Sequence, residues 1–289
     1  MKIEKKKMDE WILSYEVFLE EEEKSHNTIS KYCKDIRMFL EYLNGAEIDK
    51  KKIMQFKEAL LEKYMPNSVN SILAAINHFL GWLGQENNKV KLIKIHKDIF
   101  SNPEKEITKE EYLRLVKCAK EKGDIRLSLL LQTICGTGIR VSELRYITVD
   151  AVILGRVQVN CKGKNRTVFL SKQLCKALKK YCKDENIQSG GIFLTKTGKA
   201  LDRSNIWKMM KGLCCQAKVD ESKVFPHNLR HLFAKAYYQV NKDIAKLADL
   251  LGHTNINTTR IYMMESGTNH RRQLEKMNLF VGEFTGNTT

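Results

Sequence analysis

Apolar residues recur every three to four positions through the first hundred residues, the period of a helix buried on one side. Trp11, Ile12, Tyr15, Phe18 and Leu19 line one such face. Ile29, Tyr32, Ile36, Phe39 and Leu43 line a second, with Thr28 placed as an N-cap ahead of most of it. Phe56, Leu60, Leu61 and Tyr64 line a third. Ile72, Leu73, Ile76, Phe79, Leu80 and Leu83 line a fourth, after Pro66-Asn67-Ser68, which reads as a turn ending in a cap. Four amphipathic helices with short connections predict a small bundle.

Periodicity is lost across the basic stretch 89–105, which contains Asn102-Pro103. A linker is therefore expected at 92–105, between a helical domain at 1–91 and a second domain at 106–289. Thr108, followed three residues later by Glu111, has the form of a capping box and opens a helix. Leu127–Cys135 reads as a mostly buried helix running into the glycine turn 136–138. Val157–Cys161 and Thr167–Leu170 favour strands and flank 162–165, which predicts a β-hairpin. The rest, including 206–217, 228–239 and 243–251, has helical patterning. Leu251-Gly252 marks a helix end. Asn257 or Thr258 is expected to cap a further helix with Tyr262 in its first two turns. The expected fold class is mainly α: an N-terminal helical bundle plus a mostly helical domain with a small β-hairpin.

Charge separates the two halves. Residues 1–100 hold 17 Lys and Arg against 16 Asp and Glu, whereas the remaining residues hold 33 against 18. Most of the net charge of +16 thus lies in the second domain, where a polyanion is its natural partner. The eight cysteines, Cys33, Cys118, Cys135, Cys161, Cys175, Cys182, Cys214 and Cys215, form no C-x-x-C pair. With no signal peptide and no apolar run near the roughly 20 residues of a membrane span, they read as reduced thiols of a cytoplasmic protein.

The residues with chemical potential lie in five segments: Gly-Thr-Gly-Ile-Arg-Val-Ser-Glu-Leu at 136–144, Cys-Lys-Gly-Lys-Asn-Arg at 161–166, Pro-His-Asn-Leu-Arg-His at 226–231, Leu-Gly-His at 251–253 and Asn-Thr-Thr-Arg-Ile-Tyr at 257–262. Arg140 and Arg230 can each clamp phosphate oxygens through paired hydrogen bonds. His227 shares a helix face with Arg230, and Glu143 shares one with Arg140. Tyr262 can attack phosphorus, while His227, His253 or Lys162 can move the proton. Lys164 competes with Lys162 at the hairpin tip. No carboxylate cluster or Cys/His set stands out as a metal site. The combination reads as phosphodiester chemistry through a covalent protein intermediate, with no metal or cofactor.

In this order, the segments resemble the tyrosine recombinase (phage integrase) family over most of residues 106–265, most specifically at 137–144, 226–234 and 251–262. The first hundred residues, Thr28–Leu43 above all, resemble that family's SAM-like core-binding domain. The resemblance implies a site-specific DNA recombinase. Tyr262 would be the nucleophile forming a 3′-phosphotyrosyl link, and Arg140 and Arg230 would hold the scissile phosphate. Lys162 would protonate the leaving 5′ oxygen, His227 would assist proton transfer with Tyr262, His253 would hydrogen-bond the phosphate, and Glu143 would support the site from behind. Met263-Met264 and the order of residues in Cys-Lys-Gly-Lys-Asn-Arg depart from the usual pattern. The layout is closest to Xer-like or simple integrases without a separate arm-binding domain. The implied partner is double-stranded DNA, bound by a monomer that assembles into a tetramer. A tail helix carrying Leu274, Met277, Leu279 and Phe280, hinged at Gly267, would dock on a neighbouring protomer. Two rival readings share these features: a type IB topoisomerase-like relaxing enzyme and a catalytically idle DNA-binding relative.

Overall fold

The computed structural model describes residues 5–95, 103–161, 164–195, 197–263 and 275–277. The chain divides into two compact units, Met1–Lys97 and Asp98–Thr289.

The first unit contains α1 (Lys5–Glu21), α2 (His26–Leu43), α3 (Lys50–Lys63) and α4 (Pro66–Trp82). The expected faces meet in one core, where Tyr15, Leu19, Ile36, Phe39, Leu73, Ile76 and Phe79 are all buried. Tyr15 packs edge-on against Phe79, with ring centroids 5.1 Å apart. Its hydroxyl meets His78 Nδ1 at 2.8 Å, so burying the ring leaves no phenol unpaired.

Three local expectations are corrected. The cap of α2 is Ser25, whose Oγ accepts the Thr28 N–H and also pairs with the Thr28 hydroxyl. Pro66 is the first residue of α4 and not part of a preceding turn, because a missing N–H costs nothing in the first turn. On α3 the buried residues are Ile53, Phe56 and Leu60, while Leu61 and Tyr64 face solvent. Leu61 lies about 100° around the helix from Leu60, enough to carry it off the buried stripe.

Past α4 the chain is pinned back onto the bundle. Asn77 bonds both the N–H and the C=O of Val90, and Asn70 does the same for Ile93.

The second unit is built around α6 (Ile125–Thr137), in which Leu130, Leu131 and Ile134 are fully buried. Preceding it, α5 (Lys109–Glu121) has the expected capping box between Thr108 and Glu111. After α6 come a 3₁₀ turn (Val141–Tyr146) and α7 (Val149–Leu154). Strands β1 (Arg156–Cys161) and β2 (Lys164–Phe169) then pair antiparallel, from Arg156 opposite Phe169 to Cys161 opposite Lys164. The second strand begins three residues earlier than expected, so only positions 162 and 163 separate the strands. Both positions lie outside the described residues.

Next come α8 (Lys172–Asp184), α9 (Arg203–Lys211), α10 (Cys214–Ala217), α11 (Pro226–Asn241), α12 (Ile244–Leu251) and α13 (Ile256–Tyr262). The helix expected over 206–217 is interrupted between Lys211 and Cys214, at Gly212-Leu213. The cap of α13 is Asn255, not Asn257 or Thr258, and Tyr262 ends this seven-residue helix. The architecture is the expected one: mainly helical, with a single two-stranded sheet among the described residues. Of the proposed tail, Leu274, Leu279 and Phe280 lie outside the described residues, while Glu275–Met277 is helical with Met277 exposed. Among the described residues no helix is long and apolar enough to cross a membrane.

Candidate active site

Helix ends of the second unit bring the candidate residues together. At the C-terminus of α6 the chain reverses at Gly138, whose φ of +65° is costly for any residue with a Cβ. Space at Gly138 is also closed, since a Cβ there would lie 2.4 Å from the Phe233 ring. The turn places Arg140 at the mouth of the 3₁₀ segment and buries Glu143 beneath it, at 2 % exposure. Pro226 opens α11, so His227 and Arg230 project from its first turns. Gly252, at φ +64°, ends α12 and turns the chain toward His253. Helix α13 then delivers Tyr262.

Arg230 is almost fully buried yet well paired. It donates through Nη1 to the Gly138 carbonyl and through Nη2 to Leu251 O at 2.6 Å and His253 Nε2 at 3.1 Å. Burial, followed by the nearby Arg140 charge, brings its pKa down to about 10, so it stays cationic at neutral pH. Arg140 donates through Nη1 to Glu143 Oε1 at 2.9 Å and through Nη2 to Gly252 O at 3.0 Å. The other Glu143 oxygen accepts the Arg140 backbone N–H at 2.8 Å. Burial works to raise the Glu143 pKa. The backbone N–H and the guanidinium groups of Arg166 and Arg140 outweigh it, leaving the pKa below the usual carboxylate value.

The histidines are held neutral. His253 falls to about 4, first from burial and then from Arg230 and Arg140. A guanidinium cannot accept, so His253 Nε2 is the acceptor from Arg230 and the ring proton sits on Nδ1. That proton is donated to Thr259 Oγ1 at 2.8 Å. His227 is likewise lowered, by burial and then by Arg230. Its Nε2 lies 3.0 Å from the Tyr262 hydroxyl. With Nε2 unprotonated, the phenol donates to a neutral imidazole, the geometry of a nucleophile beside its base.

Arg140, Glu143, His227, Arg230, His253 and Tyr262 are thus one constellation. Lys162 lies outside the described residues, between the two strands. Three participants had not been singled out from the sequence. His231 donates through Nε2 to the Tyr262 carbonyl at 3.1 Å and anchors the backbone of that residue. Thr259, fully buried, orients His253. Arg166 bonds Glu143 Oε2 at 2.5 Å and Leu250 O at 2.7 Å. Strand alternation carried a signal for Arg166: it lies across from Val159 and two residues before Val168, both buried, and so falls on the inward face.

A buried arginine and a half-buried one, with two neutral imidazoles around a phenol, form a cationic cluster beside a tyrosine hydroxyl. The model of the phage integrase family matches residues 105–268, and that of the phage integrase N-terminal SAM-like domain matches residues 12–87. The chain belongs to the phage integrase family. Among curated relatives, tyrosine recombinase XerA of Pyrococcus furiosus is 29 % identical over 286 residues, covering 96 % of each chain. Tyrosine recombinase XerD of Halalkalibacterium halodurans is 27 % identical over 269 residues, covering 86 % of this chain and 90 % of the relative. The fold is shared with XerH site-specific recombinase bound to its difH substrate, at a TM-score of 0.67 and 22 % identity, over 87 % of this chain and 79 % of that one. It is shared also with a lambda integrase dimer bound to a core site, at a TM-score of 0.70 and 18 % identity, over 86 % and 96 % of the chains.

Proposed function

We propose that this protein is a site-specific DNA recombinase that cuts and rejoins duplex DNA with Tyr262 as nucleophile. The observation that carries the reading is the 3.0 Å contact between Tyr262 Oη and His227 Nε2, set within the Arg140, Arg230 and His253 cluster. Tyr262 Oη attacks the scissile phosphorus and passes its proton to His227. The P–O5′ bond breaks, and the leaving 5′ oxygen takes a proton from Lys162, the role that the family resemblance implies for it. A 5′-hydroxyl then attacks the 3′-phosphotyrosine to reseal, reversing each proton transfer. Because the phosphotyrosyl ester conserves the bond energy, resealing needs no high-energy cofactor. A free phenol has a pKa near 10 and is a poor nucleophile at neutral pH, so an adjacent base is required. Arg140, Arg230 and His253 stabilise the charge that builds on the non-bridging oxygens, where one lost donor typically costs on the order of 3 kcal/mol.

The basic second unit supplies most phosphate contacts, and strand exchange takes place within a tetramer assembled on two DNA sites. The relatives named above, including recombinases in complex with DNA, support the DNA-binding part of this reading. The test is to incubate the full chain with a pool of nicked duplexes of randomised sequence, denature, and look for DNA covalently joined to protein. Wild type is expected to give an adduct and Tyr262→Phe none. An adduct that persists in Tyr262→Phe overturns the assignment, and absence of any adduct from wild type overturns the reading as a recombinase. Sequencing the captured DNA identifies the target site.

A further inference from the structure

Arg140 is held at two points, and one residue stands behind both. Its Nη1 rests on Glu143 Oε1 and its Nη2 on the Gly252 carbonyl. Arg166 bonds the opposite oxygen of Glu143, at Oε2, and so sets the plane of the carboxylate that Arg140 reads. The stem of Arg166 lies against Gly252 so closely that a Cβ there would sit 2.5 Å from Arg166 Cδ. Its second nitrogen bonds Leu250 O at 2.7 Å, two residues before Gly252. The Arg166 side chain is only 10 % exposed, so these contacts are made away from solvent. We propose that Arg166 is a positioning residue for the reaction, acting through Arg140 by fixing both the Glu143 carboxylate and the Gly252 turn that hold it.

Charge points the same way. With Arg140 alone beside it, Glu143 would cancel the cation that a phosphate needs. A second guanidinium on the carboxylate leaves Arg140 with net positive charge to offer an anion. Arg is suited to this position, because its planar fork meets a carboxylate oxygen and a backbone carbonyl at once, which an ammonium on a flexible stem does not. The bonds described for Arg166 run to Glu143 and Leu250, not to Tyr262 or His227. Its effect is therefore expected to follow the demand placed on Arg140.

This inference rests on the recombinase reading, and the experiment separates the two. Cleavage rates are measured for the full chain on the duplex recovered by adduct capture. They are measured again on the same duplex with a methylphosphonate at the scissile position, where a methyl group replaces one charged non-bridging oxygen. Arg166→Ala is expected to slow cleavage of the phosphodiester by roughly a hundredfold, comparable to losing part of one transition-state donor. On the methylphosphonate, which makes less demand on the arginine clamp, the defect should shrink to below about tenfold. Arg166→Lys keeps the charge but loses one of the two bonds, and should show the same pattern with a smaller defect. Placed in an Arg140→Ala background, either change should add less than about threefold, since residues acting as a unit are not additive.

Equal defects on both substrates, or full additivity with Arg140→Ala, would show that Arg166 serves only the fold and would overturn the proposal. If Arg166→Ala fails to fold, the Arg166→Lys comparison decides by the same criteria. Failure of wild type to form a Tyr262-dependent adduct is a different result and strikes the recombinase reading itself.

Discussion

The two units solve the same problem, burying a core, with opposite treatments of polarity. In the first, the interior is aliphatic and aromatic, and Asp35 is the one buried charged or polar residue among those described. Asp35 is partnered by Lys31 one turn away. In the second, Ser128, Thr133, Thr137, Glu143, Asn228, Arg230 and Thr259 are all buried. Their partners are largely main-chain carbonyls and one another, as with Thr133 to Leu129 O and Thr137 to Thr133 O. Burying polar groups costs free energy unless each finds a partner, so the second unit gives up stability to hold charged groups in place. The interior of the first unit shows what the chain does where burial alone decides.

That contrast is most directly broken by exchanging one residue from each interior. Phe79→Ala should destabilise the first unit by about 4 kcal/mol through lost burial and the cavity left behind. Arg230→Met should instead cost little stability, since removing a desolvated cation offsets the two orphaned carbonyls. Its cleavage rate should fall by about 10²–10³. Hydrogen exchange of the core amides and adduct formation on captured DNA measure the two effects. Comparable stability losses in both variants would erase the distinction.

A pair of glycines sharpens it. Gly84 and Gly138 both have positive φ, but a Cβ at Gly84 meets open space while one at Gly138 meets Phe233 and Leu251. Gly84→Ala should cost ~1 kcal/mol from backbone conformation alone. At Gly138 the same change adds overpacking and should total about 3 kcal/mol, with loss of the Arg230 contact to the Gly138 carbonyl. Thermal melting of each variant checks the difference.

Acid provides a third comparison. His227, His231 and His253 all have lowered pKa values in the second unit, His253 at about 4. Such groups take up protons more readily when unfolded. The stability they contribute is complete above about pH 6.5 and is lost as pH falls through the window toward 4. Hydrogen exchange, corrected for intrinsic rates, should show α11 and α13 weakening between pH 7 and pH 5. His253→Gln should weaken less over that range. An unchanged pH dependence in that variant would remove His253 as a cause.

The smallest effect concerns capping in the first unit. Ser25→Ala should cost about 1 kcal/mol and Thr28→Ala clearly less, as measured by melting temperature, because Ser25 accepts the helix N–H.

These particulars show what the sequence made legible. The faces of α1, α2 and α4 follow from period alone, because nothing competes with burial there. The cap of α2 is not legible in the sequence, because Ser25 and Thr28 are both good capping residues and only the backbone angles at Ser25 decide between them. Leu61 and Tyr64 are apolar neighbours of a buried stripe, and composition cannot say on which side of its edge they fall. In the site, residues with distinctive local context were found: Arg140 after its glycine turn, His227 and Arg230 one helical turn apart, and Tyr262 after Gly252-His253. Arg166 was not, because starting β2 at Thr167 left it in the loop. The extra three residues of strand place it on the inward face. The neutrality of the histidines was invisible for another reason: it arises from guanidinium groups that folding alone brings near them.

The Nη2 group of Arg230 has two protons, and both are already committed, to Leu251 O and to His253 Nε2. Of the groups on the clamp, this nitrogen alone is described with both protons taken. A phosphate oxygen approaching at that nitrogen has to displace an imidazole, and His253 must move its proton to Nε2 before it can donate there. Such a resting state lowers apparent affinity in proportion to how seldom the open arrangement is populated. A lone inorganic phosphate brings too few contacts to meet that cost. On the proposed reading, a polyanion gripped along its length would supply the difference from elsewhere on the surface, and the cluster would discriminate by the size of what carries the phosphate.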